Sequence, residues 1–321
     1  MSSDSPMHEI WGVAGLVAIA LGLSLMLSDS YALKVVTWLS LNVLAAIALR
    51  FVMLVGELNI ATAAFWGVGA YTAAIATVWL KLPFGVALVA GIVAPALLAV
   101  AFGFVTLRTK GPYFMLISFA FTEVLRLVYT QSDALGGNSG MIGVYPPRWL
   151  DGTYASLVVL LVGACLVGFL WLERSAFGKL MRAIENNDAV VASVGVPVLA
   201  IKIAALTIAA AAAGLGGGLF AHANRVISPG DFSFLVSVYA LAYVKIGGEK
   251  HILGAVLGAT FLTLLGQYVL SFGQYEHIYF GGAIVAAMLI FPEGMLGLLQ
   301  RWGARLGLVR APEPATSRGG H

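Results

Sequence analysis

Hydrophobic positions along this chain come in long blocks, not in the short alternations of an amphipathic soluble fold. A membrane helix needs about 20 predominantly apolar residues. By that measure apolar runs fall near 10–27, 35–55, 60–80, 84–106, 112–131, 153–172, 198–221, 233–246, 252–272 and 279–293. The eighth and tenth are short, and only Gly56–Asn59 separates the second from the third. The pattern predicts an all-α, polytopic integral membrane protein with about ten transmembrane helices.

The longest hydrophilic interruption is Glu173–Lys202, which carries a helical pattern of its own. Phe177, Leu180, Met181 and Ile184 stand at i, i+3, i+4 and i+7, one helix face. Asn187 then offers an N-cap and Asp188 a first-turn carboxylate for a second short helix through Ala189, Val190, Val191, Ala192, Ser193 and Val194. Gly195 suits the left-handed residue after its end, and Pro197 prevents continuation. Such a pair of helices lies in the membrane interface or docks onto a partner outside it, and the pattern alone supports both.

Composition agrees with the blocks. Of 321 residues, 60% are hydrophobic and 10% charged, whereas a soluble domain is about a quarter charged. The net charge of +3 does not mark a nucleic-acid binder, because the basic residues sit in short loops between apolar runs. With the N-terminus inside, the cytoplasmic segments hold twelve cations: Arg108, Lys110, Arg174, Lys179, Arg182, Lys202, Lys245, Lys250, Arg301, Arg305, Arg310 and Arg318. The opposite side holds Lys34, Lys81, Arg148 and Arg225. Twelve against four places the Glu173–Lys202 loop in the cytoplasm. The first ten residues lack the basic n-region of a secretory signal, so the first run is read as a retained span. The resulting layout is an N-terminal cytoplasmic segment 1–9, a transmembrane domain 10–297 with its loop at 173–202, and a basic tail 298–321 expected to be disordered.

Few groups suggest chemistry. Glu123 and Arg126 stand one helical turn apart in an apolar span, either a structural ion pair or part of a pathway. Arg50 is read as a topology anchor that snorkels to the interface. Glu57 and Asn59 line a cavity or make a tight turn. Ala209, Ala213 and Gly217, and likewise Gly254 and Gly258, form small-residue stripes, read as close static packing in preference to a moving contact. The five histidines show no metal-ligand spacing, and lone Cys165 in an apolar run is a packing residue, so no metal or disulfide is assigned. No nucleophile–base set stands on the extramembrane segments, and G-x-x-x-x-G-K-[ST] is absent, so neither hydrolase chemistry nor a Walker nucleotide site is expected.

From about Leu54 to Gly297 the chain resembles the permease subunits of branched-chain amino acid ABC importers. Four stretches carry the resemblance. Leu58–Ala74 is similar to a glycine-rich third-span pattern through Phe65, Gly67, Gly69, Ala70 and Tyr71, with Ala61 and Thr62 departing from it. Leu107–Val128 looks like the family's basic turn followed by Gly111, Tyr113, Phe114, Glu123 and Arg126, with a similar glycine-rich loop after it at Leu135–Val144. Ala189, Val190, Val191 and Gly195 align with its coupling segment, the acidic residue being Asp188. Ile227–Ala259 matches at Pro229, Phe234, Ser237, Gly247, Gly248, Gly254, Gly258 and Ala259, while Glu249, Lys250 and His251 replace the usual small turn.

The resemblance implies a multi-pass protein of the bacterial inner membrane. It would pair with a second permease subunit, two cytoplasmic ABC ATPase subunits that hold ATP and Mg, and a periplasmic substrate-binding protein. This chain itself would carry no cofactor and do no covalent chemistry. The ATPase-docking residues would be Asp188, Ala189, Val190, Val191, Val194 and Gly195, with Phe177, Met181 and Ile184 as the second candidate face. The implied cargo is a branched-chain or related hydrophobic amino acid. A urea or short-amide permease shares the architecture. An ion-coupled secondary transporter would place several acidic or His residues within its spans, where only Glu123 is evident. A purely structural scaffold leaves the patterned loop unexplained.

Overall fold

A computed structural model describes residues 6–26, 29–109, 111–269, 276–291 and 294–298. Lys110, Arg301, Arg305, Arg310, Arg318 and, apart from Leu298, the predicted tail lie outside the described residues, as do residues 1–5.

Ten α-helices fall on the ten predicted runs: α1 (Pro6–Met26), α2 (Ser30–Met53), α3 (Thr62–Val78), α4 (Phe84–Thr106), α5 (Pro112–Gln131), α6 (Tyr154–Arg174), α9 (Val198–Asn224), α10 (Phe234–Gly247), α11 (Ile252–Val269) and α12 (Glu276–Ile290). The Glu173–Lys202 loop supplies α7 (Ala176–Asn186) and α8 (Asp188–Ser193). Among the described residues seven helical stretches are long and apolar enough to cross a membrane, while α3 and α10 are shorter apolar helices. The chain is an all-α, multi-pass membrane protein.

Two compact units divide at Leu241 and Ala242. The first is built around α9, which packs chiefly against α3 and α4 and also against α2, while α6 packs on α1 and α2. Small side chains on α9 make this possible. A Cβ on Gly217 would overlap the Trp66 carbonyl, and one on Gly69 would overlap the Gly214 backbone. Lipid offers no hydrophobic drive between helices, so such backbone approach is what holds them together. The Ala209–Gly217 stripe is a close-packed seam. In the second unit Gly254 and Gly258 of α11 meet the backbone of Gly247 and its neighbours in the same way.

The contacts respect the predicted sidedness. A short antiparallel pairing joins β1 (Met141–Ile142) to β2 (Val226–Ile227), Met141 opposite Ile227, and both strands lie in segments assigned to the outer side. The ion pairs Arg50–Glu173 and Lys202–Glu57 join segments assigned to the inner side. Loops on opposite faces of a bilayer could not meet like this.

Candidate functional site

The 173–202 loop folds by local capping. Ser175 begins α7, its Oγ accepting from the Phe177 N–H at 3.2 Å. Asn187 begins α8, its Oδ1 accepting from the N–H groups of Ala189 at 3.1 Å and Val190 at 3.2 Å. Each cap satisfies donors that have no carbonyl one turn back. The second helix stops at Ser193, one residue before the predicted end, with Val194 as its C-cap and Gly195 at φ +85° beyond it.

The two helices present their apolar residues differently. On α7, Met181 and Ile184 are buried within the chain, and Phe177 is half-buried and stacks on Phe51 with centroids 6.5 Å apart. The apolar face of α7 therefore holds the loop onto the bundle. Of the expected docking face Phe177, Met181 and Ile184, Met181 and Ile184 are thus covered by the chain itself and offer no surface to a partner, while Phe177 is half-buried. On α8, Val191 is also buried, but Val190 is 60% exposed and Val194 75% exposed. Ala189 and Gly195 are exposed and Asp188 half-buried. A two-valine apolar tip projects from a helix whose base is fixed.

Charge fixes that base. Arg50 is 1% exposed and donates from both terminal nitrogens to Glu173, at 2.8 Å to Oε2 and 2.9 Å to Oε1. The expected snorkelling anchor is instead one half of a buried bidentate pair, because the last turn of α6 brings a carboxylate to it. Arg182 of α7 adds a third bond, to Glu173 Oε1 at 2.8 Å. At the far end of the loop Lys202 donates to Glu57 Oε1 at 2.6 Å, both side chains being buried. Thus α2 and the turn after it hold both ends of the loop. Sequence inspection missed both links. The signal available was opposite charges at the ends of apolar spans assigned to one face.

The turn after α2 is itself built into the core. Asn59 makes it tight, its Oδ1 accepting from the Ala61 N–H at 3.0 Å. The Ile60 N–H donates to Ser118 Oγ at 3.1 Å, and the Ile60 carbonyl accepts from Ser237 Oγ at 2.6 Å and Thr122 Oγ1 at 3.2 Å. Ser237 Oγ also accepts from the Ala63 N–H at 2.9 Å. Irregular backbone within a membrane bundle needs such partners. Glu57 and Asn59 therefore belong to a pinned break between α2 and α3.

Glu123 and Arg126 of α5 pair at 2.7 Å, their side chains 23% and 35% exposed. Glu123 Oε1 also accepts from the Phe234 N–H at the start of α10, at 3.5 Å. His222 is a core residue, its Nδ1 2.8 Å from the Gly218 carbonyl and its Nε2 3.0 Å from Thr77 Oγ1.

Comparison with known proteins gives this architecture a family. The family model described as the branched-chain amino acid transport system permease component matches residues 31–292. The chain is 27% identical to the high-affinity branched-chain amino acid transport system permease protein LivM of Salmonella typhimurium, over 88% of this chain and 73% of that protein. It is also 27% identical to LivM of Escherichia coli, over 82% of this chain and 67% of that one. The autoinducer 2 import system permease protein LsrC of Escherichia coli is 28% identical over 53% of this chain and 56% of its own length. No solved structure matches. The chain belongs to the family of branched-chain amino acid transport system permease components.

Proposed function

We propose that the chain is the membrane-spanning permease subunit of an ATP-driven importer in a bacterial inner membrane, with a branched-chain or related hydrophobic amino acid as cargo. It works beside a second permease subunit and two cytoplasmic ATPase subunits, and a periplasmic binding protein delivers the cargo. ATP and Mg are held by the ATPases. The cargo assignment leans on the LivM relatives.

The observation that carries the coupling role is the contrast between α7 and α8. Exposed Val190 and Val194 offer an apolar tip to a groove on the ATPase, while Met181, Ile184 and the Arg50–Glu173–Arg182 bonds hold the base. A displacement of α8 therefore passes into α2 through Arg50 and into the α2–α3 break through Glu57. Alternating access follows as the spans rock around a central path. The experiment is a Val190→Asp/Val194→Asp variant in the assembled transporter. It is expected to insert normally but to lose the ATPases on purification and ATP-dependent uptake with them. Unchanged co-purification and uptake would refute the docking role.

A second cargo reading has one observation behind it. The similarity to LsrC, whose name assigns it to autoinducer 2 import, spans half of the chain. Uptake of labelled leucine against labelled autoinducer 2 by the complete transporter separates the two.

A further inference from the structure

Helix α5 carries charge on a partly exposed face, beside the start of α10. Its buried residues, Phe114, Ser118, Thr122 and Tyr129, lie along one side. Glu123 and Arg126 stand on another, flanked by Leu116, Phe119 and Leu127, which are 58%, 39% and 50% exposed. Glu123 is the twelfth of the twenty residues of α5. At about 1.5 Å per residue it lies about 2 Å from the helix midpoint and Arg126 about 7 Å. An ion pair open to the outside near the middle of a span is costly against lipid tails, so such residues face protein or water. Among the described residues α5 is also the least apolar of the helical stretches long enough to cross a membrane.

The pair is only partly committed. Arg126 Nε donates to Glu123 Oε2, while its two terminal nitrogens have no partner among the described residues. Glu123 Oε1 faces the first N–H of α10, so that helix begins beside the pair. A cation with free donors, a carboxylate and a helix N-terminus thus meet on one apolar-flanked surface. A helix N-terminus favours a negative group, and a guanidinium offers a carboxylate two parallel bonds.

We propose that this face of α5 lines a water-filled path and is a transit site for a zwitterionic amino acid. The ligand's carboxylate binds the terminal nitrogens of Arg126, its ammonium binds Glu123, and its apolar side chain lies against Leu116, Phe119 and Leu127. The Arg126–Glu123 bond need not break, because it uses Nε alone. The ligand class rests on the proposed amino-acid cargo, whereas water access to the face does not.

The test uses the full transporter in membranes, with Cys165→Ser as background and single cysteines at Ala120→Cys and Leu127→Cys on the charged face. Leu97→Cys, 67% exposed on α4, a helix without charged residues, is the control expected to face lipid. A charged, membrane-impermeant thiol reagent is expected to label positions 120 and 127 but not 97, with leucine slowing the labelling at least threefold. In parallel, Arg126→Gln is expected to lower leucine uptake at least tenfold while still co-purifying with the ATPases in wild-type yield, and Arg126→Lys to recover part of the uptake. No labelling at 120 and 127 with leucine uptake intact overturns the aqueous face and leaves the proposed function standing. Labelling that leucine does not slow, with Arg126→Gln uptake unchanged, overturns the ligand site. Labelling in a transporter that carries no leucine overturns the proposed cargo and the zwitterion class together, while the water-filled path stands.

Discussion

Arg50 of α2 and Glu173 of α6, 123 positions apart in sequence, form a bidentate pair in which neither side chain is more than 7% exposed. It ties the C-terminal end of α2 to the first residue of the projecting loop. Through the bond from Arg182 to the same carboxylate, α7 joins that tie.

Removing one partner strands the other. Glu173→Gln leaves Arg50 buried without a counter-charge and is expected to destabilise the folded protein by about 3–5 kcal/mol. Arg50→Met with Glu173→Met is expected to cost less than the sum of the single changes, since a buried pair can be replaced by apolar packing of similar volume. Thermal unfolding of the purified single and double variants checks this. Additive losses would mean that the two side chains are not coupled.

The seam between α3 and α9 is a second point of failure. Gly217→Ala places a methyl into the Trp66 carbonyl, so the helices must part, whereas Gly168→Ala meets nothing within 4 Å. Overpacking costs about 1–3 kcal/mol, and more where backbone rather than side chain must give. Gly217→Ala is therefore expected to lower the melting temperature and the folded yield, and Gly168→Ala to leave both unchanged. Equal behaviour of the two would contradict the packing described.

What was legible in the sequence followed from local rules. Among the described residues each apolar run coincides with a helix, α4 and α5 matching to the residue at both ends. Capping chemistry at Asn187 and the turn at Gly195 bounded α8, because both act within a few residues of the helix end. What was not legible depended on distant partners. Arg50 looked like an interfacial anchor because its own run says nothing of Glu173 on α6, and Glu57 could not be matched with Lys202, 145 positions on. Periodicity likewise showed that α7 is amphipathic without showing that its apolar face, with Met181 and Ile184, turns inward.

The most direct test of the importer account is uptake of labelled leucine into proteoliposomes. They would contain this chain, the second permease subunit and the ATPases, with binding protein outside and ATP within. Uptake is expected only when every component and ATP are present, and it should be indifferent to collapse of ion gradients. Accumulation of leucine by this chain alone, driven by a sodium or proton gradient, would contradict it.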